Sequence, residues 1–159
     1  MLFEYRKATM DEIDVLAQMR VSMLCEGTDY NDEFRCKLYN NTKSFISGGF
    51  EGKTFITWVA TQNQEIIAMG GLTYYLLPPN DWCPGGKTAY IGNMYTKPAH
   101  RRNGIATKLF SLLMDEAKEN SCERILLDAT CMGRPLYEKY GFKNSNTAMA
   151  YYPFGIMSK

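Results

Sequence analysis

The stretch from Lys87 to Thr130 constrains this chain more than any other. Lys87 to Thr96 has the β-branched and aromatic content of a strand, and Pro98 ends it. From about Asn103 to Asn120, the apolar residues Ile105, Leu109, Leu112, Leu113 and Ala117 recur at helical spacing. Arg124 to Thr130 follows, with Ile125-Leu126-Leu127 at its centre, and reads as a buried strand. A strand–helix–strand crossover makes its two strands parallel and its connection right-handed. The other elements must be arranged around that pair.

The first half reads as antiparallel. Thr54 to Thr61 and Ile66 to Leu77 are strand-like runs separated by the turn Gln62–Glu65, a hairpin pattern. Leu2 to Lys7 alternates as a short first strand, and Thr9-Met10-Asp11-Glu12 reads as a capping box. The helix behind the box places Ile13, Leu16, Ala17, Arg20 and Leu24 on one face. A polar helix is predicted from about Asn31 to Phe45, ended by Gly48-Gly49. At the far end, Pro135 to Tyr140 reads as a short helix stopped by Gly141, with strand fragments around Phe142 and from Ala148 to Tyr152. The expected fold class is mixed α/β, α+β-like: a central, mostly antiparallel sheet with one parallel, splayed strand pair. The 159 residues, without a linker or repeat, are expected to form a single domain spanning residues 1–159.

Composition narrows the function classes. Lys and Arg total 18 against 17 Asp and Glu, a net charge of +1, which argues against a nucleic-acid partner. A third reading, nucleic-acid binding through the basic loop at Arg101-Arg102, therefore ranks last. Five cysteines without a CxxC pair, beside one histidine, make no metal cluster and read as reduced thiols. Glu4, Arg6 and Lys7 interrupt any signal-peptide pattern, and Ile66 to Leu77 is too short to span a bilayer. The expectation is a cytoplasmic protein with no membrane partner. Gly85-Gly86-Lys87-Thr88 and Gly52-Lys53-Thr54 imitate the tail of a P-loop, but Asp81 and Ser47 stand where its first glycine belongs, and each leads into a strand.

The chemistry concentrates where the first strand of the crossover meets its helix. Met94-Tyr95-Thr96-Lys97-Pro98-Ala99-His100 runs into Arg101-Arg102-Asn103-Gly104-Ile105-Ala106. A helix N-terminus presents free N–H groups and the positive end of the dipole. Gly104 and Ala106 permit close approach, and two arginines add fixed charge. The combination reads as a pyrophosphate cradle; a basic solvated loop is the plainer alternative.

These residues resemble the GNAT superfamily of acetyl-CoA-dependent N-acyltransferases. The family's pyrophosphate-loop signature, Arg/Gln-x-x-Gly-x-Gly/Ala, is matched from Arg101 to Ala106. A second signature, Tyr-x-x-x-Gly-Phe, is matched by Tyr137-Glu138-Lys139-Tyr140-Gly141-Phe142. The resemblance covers essentially the whole chain. It implies acetyl-CoA as co-substrate, lying in the wedge between the two crossover strands. Met94, Tyr95 and Thr96 would pair with the pantetheine arm, with the Met94 N–H donating to the thioester oxygen. Arg101, Arg102, Asn103, Gly104, Ile105, Ala106 and Thr107 would hold the pyrophosphate. Tyr137 would protonate the departing thiolate, so Tyr137 and Met94 are the implied catalytic residues. The family often has Asn and Ala seven and four residues before that tyrosine, where this chain has Thr130 and Gly133. Thr130 is thereby implied as a shorter-reaching cofactor contact. Gly92 marks an expected bulge in the strand that carries Met94.

The acceptor side carries no motif. Asp128 and Glu26 are the available carboxylates for a base, and either is equally a structural residue. His100, the only histidine, lies beside the loop and far from an amine site. Arg20 interrupts an apolar helix face, and a charge there must snorkel, pair or face a cavity. It is a candidate for binding an anionic group of the acceptor. Asn93 and Tyr74-Tyr75 are further candidates for the pocket wall. The reading is an N-acetyltransferase moving an acetyl group from acetyl-CoA to a primary amine of a small-molecule acceptor, by direct attack in a ternary complex. The alternative is a non-catalytic acyl-CoA-binding sensor or partner-binding module of the same fold. Proteins resembling this one are commonly dimers, so a homodimer is an open expectation.

Overall fold

The computed structural model describes residues 2–145 and 147–155. Its order is β1 (Glu4–Lys7), a single 3-10 turn (Met10–Glu12), α1 (Ile13–Cys25), α2 (Asp32–Glu51), β2 (Phe55–Gln62), β3 (Glu65–Leu76), β4 (Lys87–Thr96), a second 3-10 turn (Pro98–His100), α3 (Ile105–Glu119), β5 (Arg124–Leu127) and α4 (Arg134–Lys139). The sheet runs β1-β2-β3-β4-β5, antiparallel throughout except for the parallel pair β4–β5. This is the mixed α/β fold with one parallel pair that the crossover demands. The chain divides after Asp128 into two compact bodies, with the whole sheet and α1 to α3 in the first.

Strand periodicity distributes the apolar residues over two faces. Val59 and Met69 join Ile13, Leu16, Met19, Ile46 and Phe55 in a core under α1 and α2. Ala60, Ile67 and Ala68 turn the other way and pack with Ile105 and Leu109 of α3. Glycines in β3 set how closely these layers approach. A Cβ at Gly71 would lie 2.7 Å from the Phe55 ring, and one at Gly70 would lie 2.8 Å from both Leu113 and Met94.

Three expectations need correction. The polar helix does not stop at Gly48-Gly49 but runs through them to Glu51. Gly49 is a packing requirement, because a Cβ there would sit 2.4 Å from the Phe55 Cβ. The strand expected from Arg124 to Thr130 ends at Leu127, where its ladder with β4 ends. The late fragments at Phe142 and at Ala148–Tyr152 form no strand. Alternation gave the second fragment a strand-like pattern, but Met149 and Tyr151 are fully or nearly fully exposed, so no face is buried to fix a register.

The chain's first turn is tied down by charge. The Glu12 carboxylate accepts from Arg6 Nη1 at 2.8 Å and Nη2 at 2.6 Å, and from the Thr9 N–H at 2.9 Å. Those bonds, led by the arginine's, hold its carboxyl at about 2, well below the ordinary 4.5. The group binds protons more weakly folded than unfolded, so its stabilisation is complete above pH 4.5 and disappears as pH falls toward 2. Glu12→Gln should flatten the decline of stability over that acid range, read by urea unfolding at successive pH values. The two neighbouring glycines of α2 should respond oppositely to alanine. Gly49→Ala is expected to cost about 1–3 kcal/mol by overpacking. Gly48→Ala, with nothing within 4 Å of its Cβ, should gain about 0.5–1 kcal/mol in the same unfolding measurement.

Candidate active site

The site begins where β4 parts from β5. The parallel ladder runs from Thr88–Arg124 to Ile91–Leu127 and stops, while β4 continues to Thr96. Residues 92–96 therefore have no partner from β5 along that edge. At the same level β4 carries an extra residue. Gly71 pairs with Gly92 and Met69 with Tyr95, so Gly70 faces both Asn93 and Met94. Asn93 takes the left-handed conformation at φ 55°, which asparagine tolerates better than most residues. The bulge expected at Gly92 thus falls on the two residues after it. It sends the Met94 side chain toward α3 and the Tyr95 side chain toward α1 and α2.

The loop beyond β4 is rich in unsatisfied backbone donors. After the turn Pro98–His100, Arg102 and Gly104 both adopt positive φ, at 63° and 75°. Among the described residues, the N–H groups of Arg102, Asn103 and Gly104 make no hydrogen bond, and the first intrahelical bond of α3 runs from Lys108 to the Gly104 carbonyl at 3.1 Å. The N–H groups from residue 102 to Thr107 thus form a run of free donors. Nothing lies within 4 Å of where a Gly104 Cβ would point, so the surface there is open to a close-fitting anion. Asn103 braces the loop by donating Nδ2 to the His100 carbonyl at 3.0 Å and to the Arg101 carbonyl at 3.2 Å.

Arg101 and Glu26 have a different setting from the one expected of them. Arg101 donates Nε to the Thr96 carbonyl at 3.0 Å and both terminal nitrogens to Glu26, at 2.8 and 2.6 Å. Its guanidinium carbon also lies 5.8 Å from the Tyr95 ring centroid. Arg101 thus fastens the donor loop to β4 and to the end of α1, and Glu26 is the other half of that lock. The bidentate bond holds the Glu26 carboxyl below its usual range. Arg102 is exposed and makes no hydrogen bond or ion pair among the described residues, which leaves its charge available to a ligand.

A cavity of about 400 Å³ opens on the α1/α2 side of the sheet, lined by Arg20, Phe45, Phe55, Thr73, Tyr75, Tyr90, Gly92 and Asn93. Asn93 connects it in the chain to Met94. Tyr75 lines it while Tyr74 does not: neighbours on a strand point oppositely, and Tyr74 instead accepts from Asn120 Nδ2 at 3.2 Å. The Tyr90 hydroxyl donates to the Asp128 carboxylate at 2.8 Å. Burial, then that carboxylate, push Tyr90 up to about 12, so it remains a donor at neutral pH. Burial pushes Arg20 down, and no carboxylate pairs with it among the described residues. Of the candidates named from the sequence, Arg20, Tyr75 and Asn93 line this cavity, whereas Asp128 meets it only through Tyr90; Tyr90 itself was missed, its only signal being its period-2 relation to Gly92. A second cavity, about 410 Å³, lies between Lys7, Thr9, Phe50, Lys53 and Thr57 and holds no group poised for chemistry.

The second body carries Tyr137 on α4. The tyrosine ring rests against Gly133, where a Cβ would come within 3.0 Å of it. Thr130 Oγ1 accepts the Gly133 N–H at 3.1 Å, so the hydroxyl closes the turn into α4. Gly141, at φ 90°, reverses the chain so that the Phe142 N–H reaches the Tyr137 carbonyl at 3.2 Å and the two rings lie 6.4 Å apart. The Tyr-x-x-x-Gly-Phe spacing is thus a helix stop that seats the tyrosine. Tyr137 is buried, and burial raises the pKa of its phenol. Among the described residues no group of three or more His, Cys, Asp and Glu is arranged to hold a metal, and no helix is long and apolar enough to cross a membrane.

The model of the acetyltransferase (GNAT) family matches residues 24–142. A predicted acetyltransferase of Clostridium acetobutylicum, solved with acetyl-CoA, is 33% identical with a TM-score of 0.86, covering 95% of this chain and 96% of that one. A GCN5-related N-acetyltransferase of Ralstonia eutropha is 25% identical with a TM-score of 0.87, covering 97% of this chain and all of that one. Human N-acetyltransferase 8 is 28% identical over 122 residues, 74% of this chain and 50% of that protein. The chain spans about half the length of the curated relatives it matches.

The lock between Glu26 and Arg101 has a measurable consequence. A partly exposed pair of this kind contributes about 0.2–1 kcal/mol. Glu26→Gln should therefore speed hydrogen exchange at the His100 and Arg101 amides by about two- to fivefold, with the amides of α3 unchanged.

Proposed function

The chain belongs to the acetyltransferase (GNAT) family, and from that premise we propose that it transfers an acetyl group from acetyl-CoA to the primary amine of a small acceptor, by direct attack in a ternary complex. The observation that carries this reading is one continuous surface: the unpaired edge of β4 at residues 92–96, leading into the run of free N–H donors from residue 102 to Thr107. The fit to acetyl-CoA is physical. An extended, amide-bearing arm can add to an open strand edge. A pyrophosphate matches free donors at a helix start, where a glycine leaves room for it. When bound, acetyl-CoA supplies an activated acyl group on a thiolate leaving group.

The protein's own residues have distinct tasks in this reading. The Met94 N–H, in the bulge, donates to the acyl oxygen as negative charge develops there. Arg102 and the free amides from residue 102 to Thr107 hold the phosphates, while Arg101 keeps their loop in place from behind. Tyr137 stays protonated at neutral pH, because burial only raises its pKa, and so has a proton to give the thiolate. Thr130, occupied in the turn into α4, serves the cofactor mainly by placing that helix. The cavity beside Asn93 receives the amine.

Calorimetric titration with acetyl-CoA, free CoA and dephospho-CoA tests the cradle. Micromolar binding is expected, and Gly104→Val should weaken it at least tenfold; because residue 104 takes φ 75°, the same change should also cost about 1–2 kcal/mol of stability. Tyr137→Phe should lower kcat at least tenfold, against about 10²–10⁴ for a full general acid, with acetyl-CoA affinity unchanged. Binding without CoA release over a broad amine panel would leave an acyl-CoA-binding module in place of the enzyme. No binding at millimolar acetyl-CoA would overturn both.

A further inference from the structure

Arg20 stands apart from the other arginines. Arg6 is bonded to Glu12, Arg35 to the Tyr30 carbonyl, Arg101 to Glu26, Arg124 to Thr88 and Arg134 to Asn144. Arg102 is without a partner but lies in solvent. Arg20 is the one arginine that is half-buried and makes no hydrogen bond or ion pair among the described residues. A guanidinium cannot shed its charge, and a sheltered charge without a counter-ion is costly. Tyr90, the titratable group beside it, does not relieve it: its hydroxyl donates to the Asp128 carboxylate at 2.8 Å, and Asp128 makes no ion pair among the described residues. Arg20 instead lines the cavity of about 400 Å³, opposite the ring walls of Phe45, Phe55, Tyr75 and Tyr90. That volume suits a small metabolite.

We propose that the acceptor is a small primary amine that also carries an anionic group, a carboxylate or a phosphate, and that Arg20 is the residue selecting it. This inference rests on the acetyltransferase reading for its direction. The anion sits on Arg20, the apolar body lies between the rings, and the amine reaches the Asn93–Met94 bulge at the cavity's inner end. The five donors of a guanidinium fork match either anion, and the pairing is charge-assisted. Attack of the neutral amine on the acyl carbon forms the C–N bond, breaks the C–S bond and releases the thiolate, which takes its proton from the Tyr137 phenol assigned that task above. The nitrogen's surplus proton passes to solvent, and solvent returns one to the phenol.

The test uses matched ligands and two readouts. Equilibrium binding, by calorimetry with and without acetyl-CoA, compares L-phenylalanine with phenethylamine, which lacks only the carboxylate. O-Phosphoethanolamine set against ethanolamine forms the phosphate arm. CoA release is measured on the same amines. In at least one pair the acidic member is expected to bind at least tenfold tighter than its neutral partner, and the favoured pair tells carboxylate from phosphate. Arg20→Ala and Arg20→Met should abolish that preference while leaving acetyl-CoA affinity within twofold. Arg20→Lys should keep part of it, which a merely structural arginine would not show. Equal binding of both members in every pair, an unchanged preference in the Arg20 variants, or no binding of any acidic amine at millimolar concentration would overturn the inference. Arg20-dependent binding of an acidic amine in a protein that fails to bind acetyl-CoA would support it while overturning the acetyltransferase reading.

Discussion

The separation of β4 from β5 after the pair Ile91–Leu127 is the constraint on which the rest of the site depends. A continuous ladder would consume the donors and acceptors of residues 92–96, and nothing could add to that edge. The bulge at Asn93–Met94 falls where the ladder is lost, and it also raises the local twist. The neighbouring strand accommodates the irregularity by having no side chains there: Gly70 makes room for Met94 and Leu113 on one face, and Gly71 for Phe55 on the other. A methyl group at either position would push a core layer away from the sheet and move the bulge with it. The glycines of β3 are thus as much part of the site as the residues that would touch a ligand.

The helix α1 connects the two halves of the site. Its buried residues Ile13, Leu16 and Ala17 anchor it to the sheet, so its remaining side chains are placed from a rigid base. Arg20 on the next turn enters the cavity, and Glu26 just past its end grips Arg101. The two charges have opposite fates because of where they emerge. Glu26 meets a cation at the surface and is satisfied, so it fixes a loop. Arg20 emerges among rings, finds no counter-ion, and so stays open to one brought from outside. Glu26 would make a poor base for the amine, since the bond to Arg101 stabilises its ionised form and lowers its proton affinity. Tyr90, at about 12, is equally unsuited at neutral pH because it keeps its proton.

What the sequence disclosed follows from how local each signal is. The crossover, the hairpin and the loop from Arg101 to Ala106 are patterns of near neighbours, so composition and spacing were enough to find them. Arg20 was visible as a charge on an apolar face, a contradiction that periodicity alone exposes. The pairings of Glu26 with Arg101 and of Tyr90 with Asp128 were not legible. Each joins residues far apart in the chain, and nothing in either residue's neighbourhood announces its partner. Gly48-Gly49 misled because glycine has two meanings: it ends helices by its freedom and it admits close packing by its size. Only the contact with Phe55 tells which applies. The strand pattern at Ala148–Tyr152 misled for a related reason, since alternation describes a surface that could be half-buried without supplying the layer that buries it.

An arginine held half-buried in an aromatic cavity does more for selectivity than for affinity. The rings accept many apolar bodies, and a methylene more or less changes binding by only about 1–3 kcal/mol. The guanidinium is less forgiving. An amine without an acidic group that fills the cavity displaces water from Arg20 and gives nothing back, leaving a charge more poorly solvated than in the empty site. The discrimination therefore comes chiefly from the penalty on the wrong ligand. That penalty needs the arginine to be unpaired beforehand, and no carboxylate pairs with it among the described residues. The Tyr90 hydroxyl, bonded to the Asp128 carboxylate at 2.8 Å, keeps that ring oriented as a wall of the cavity.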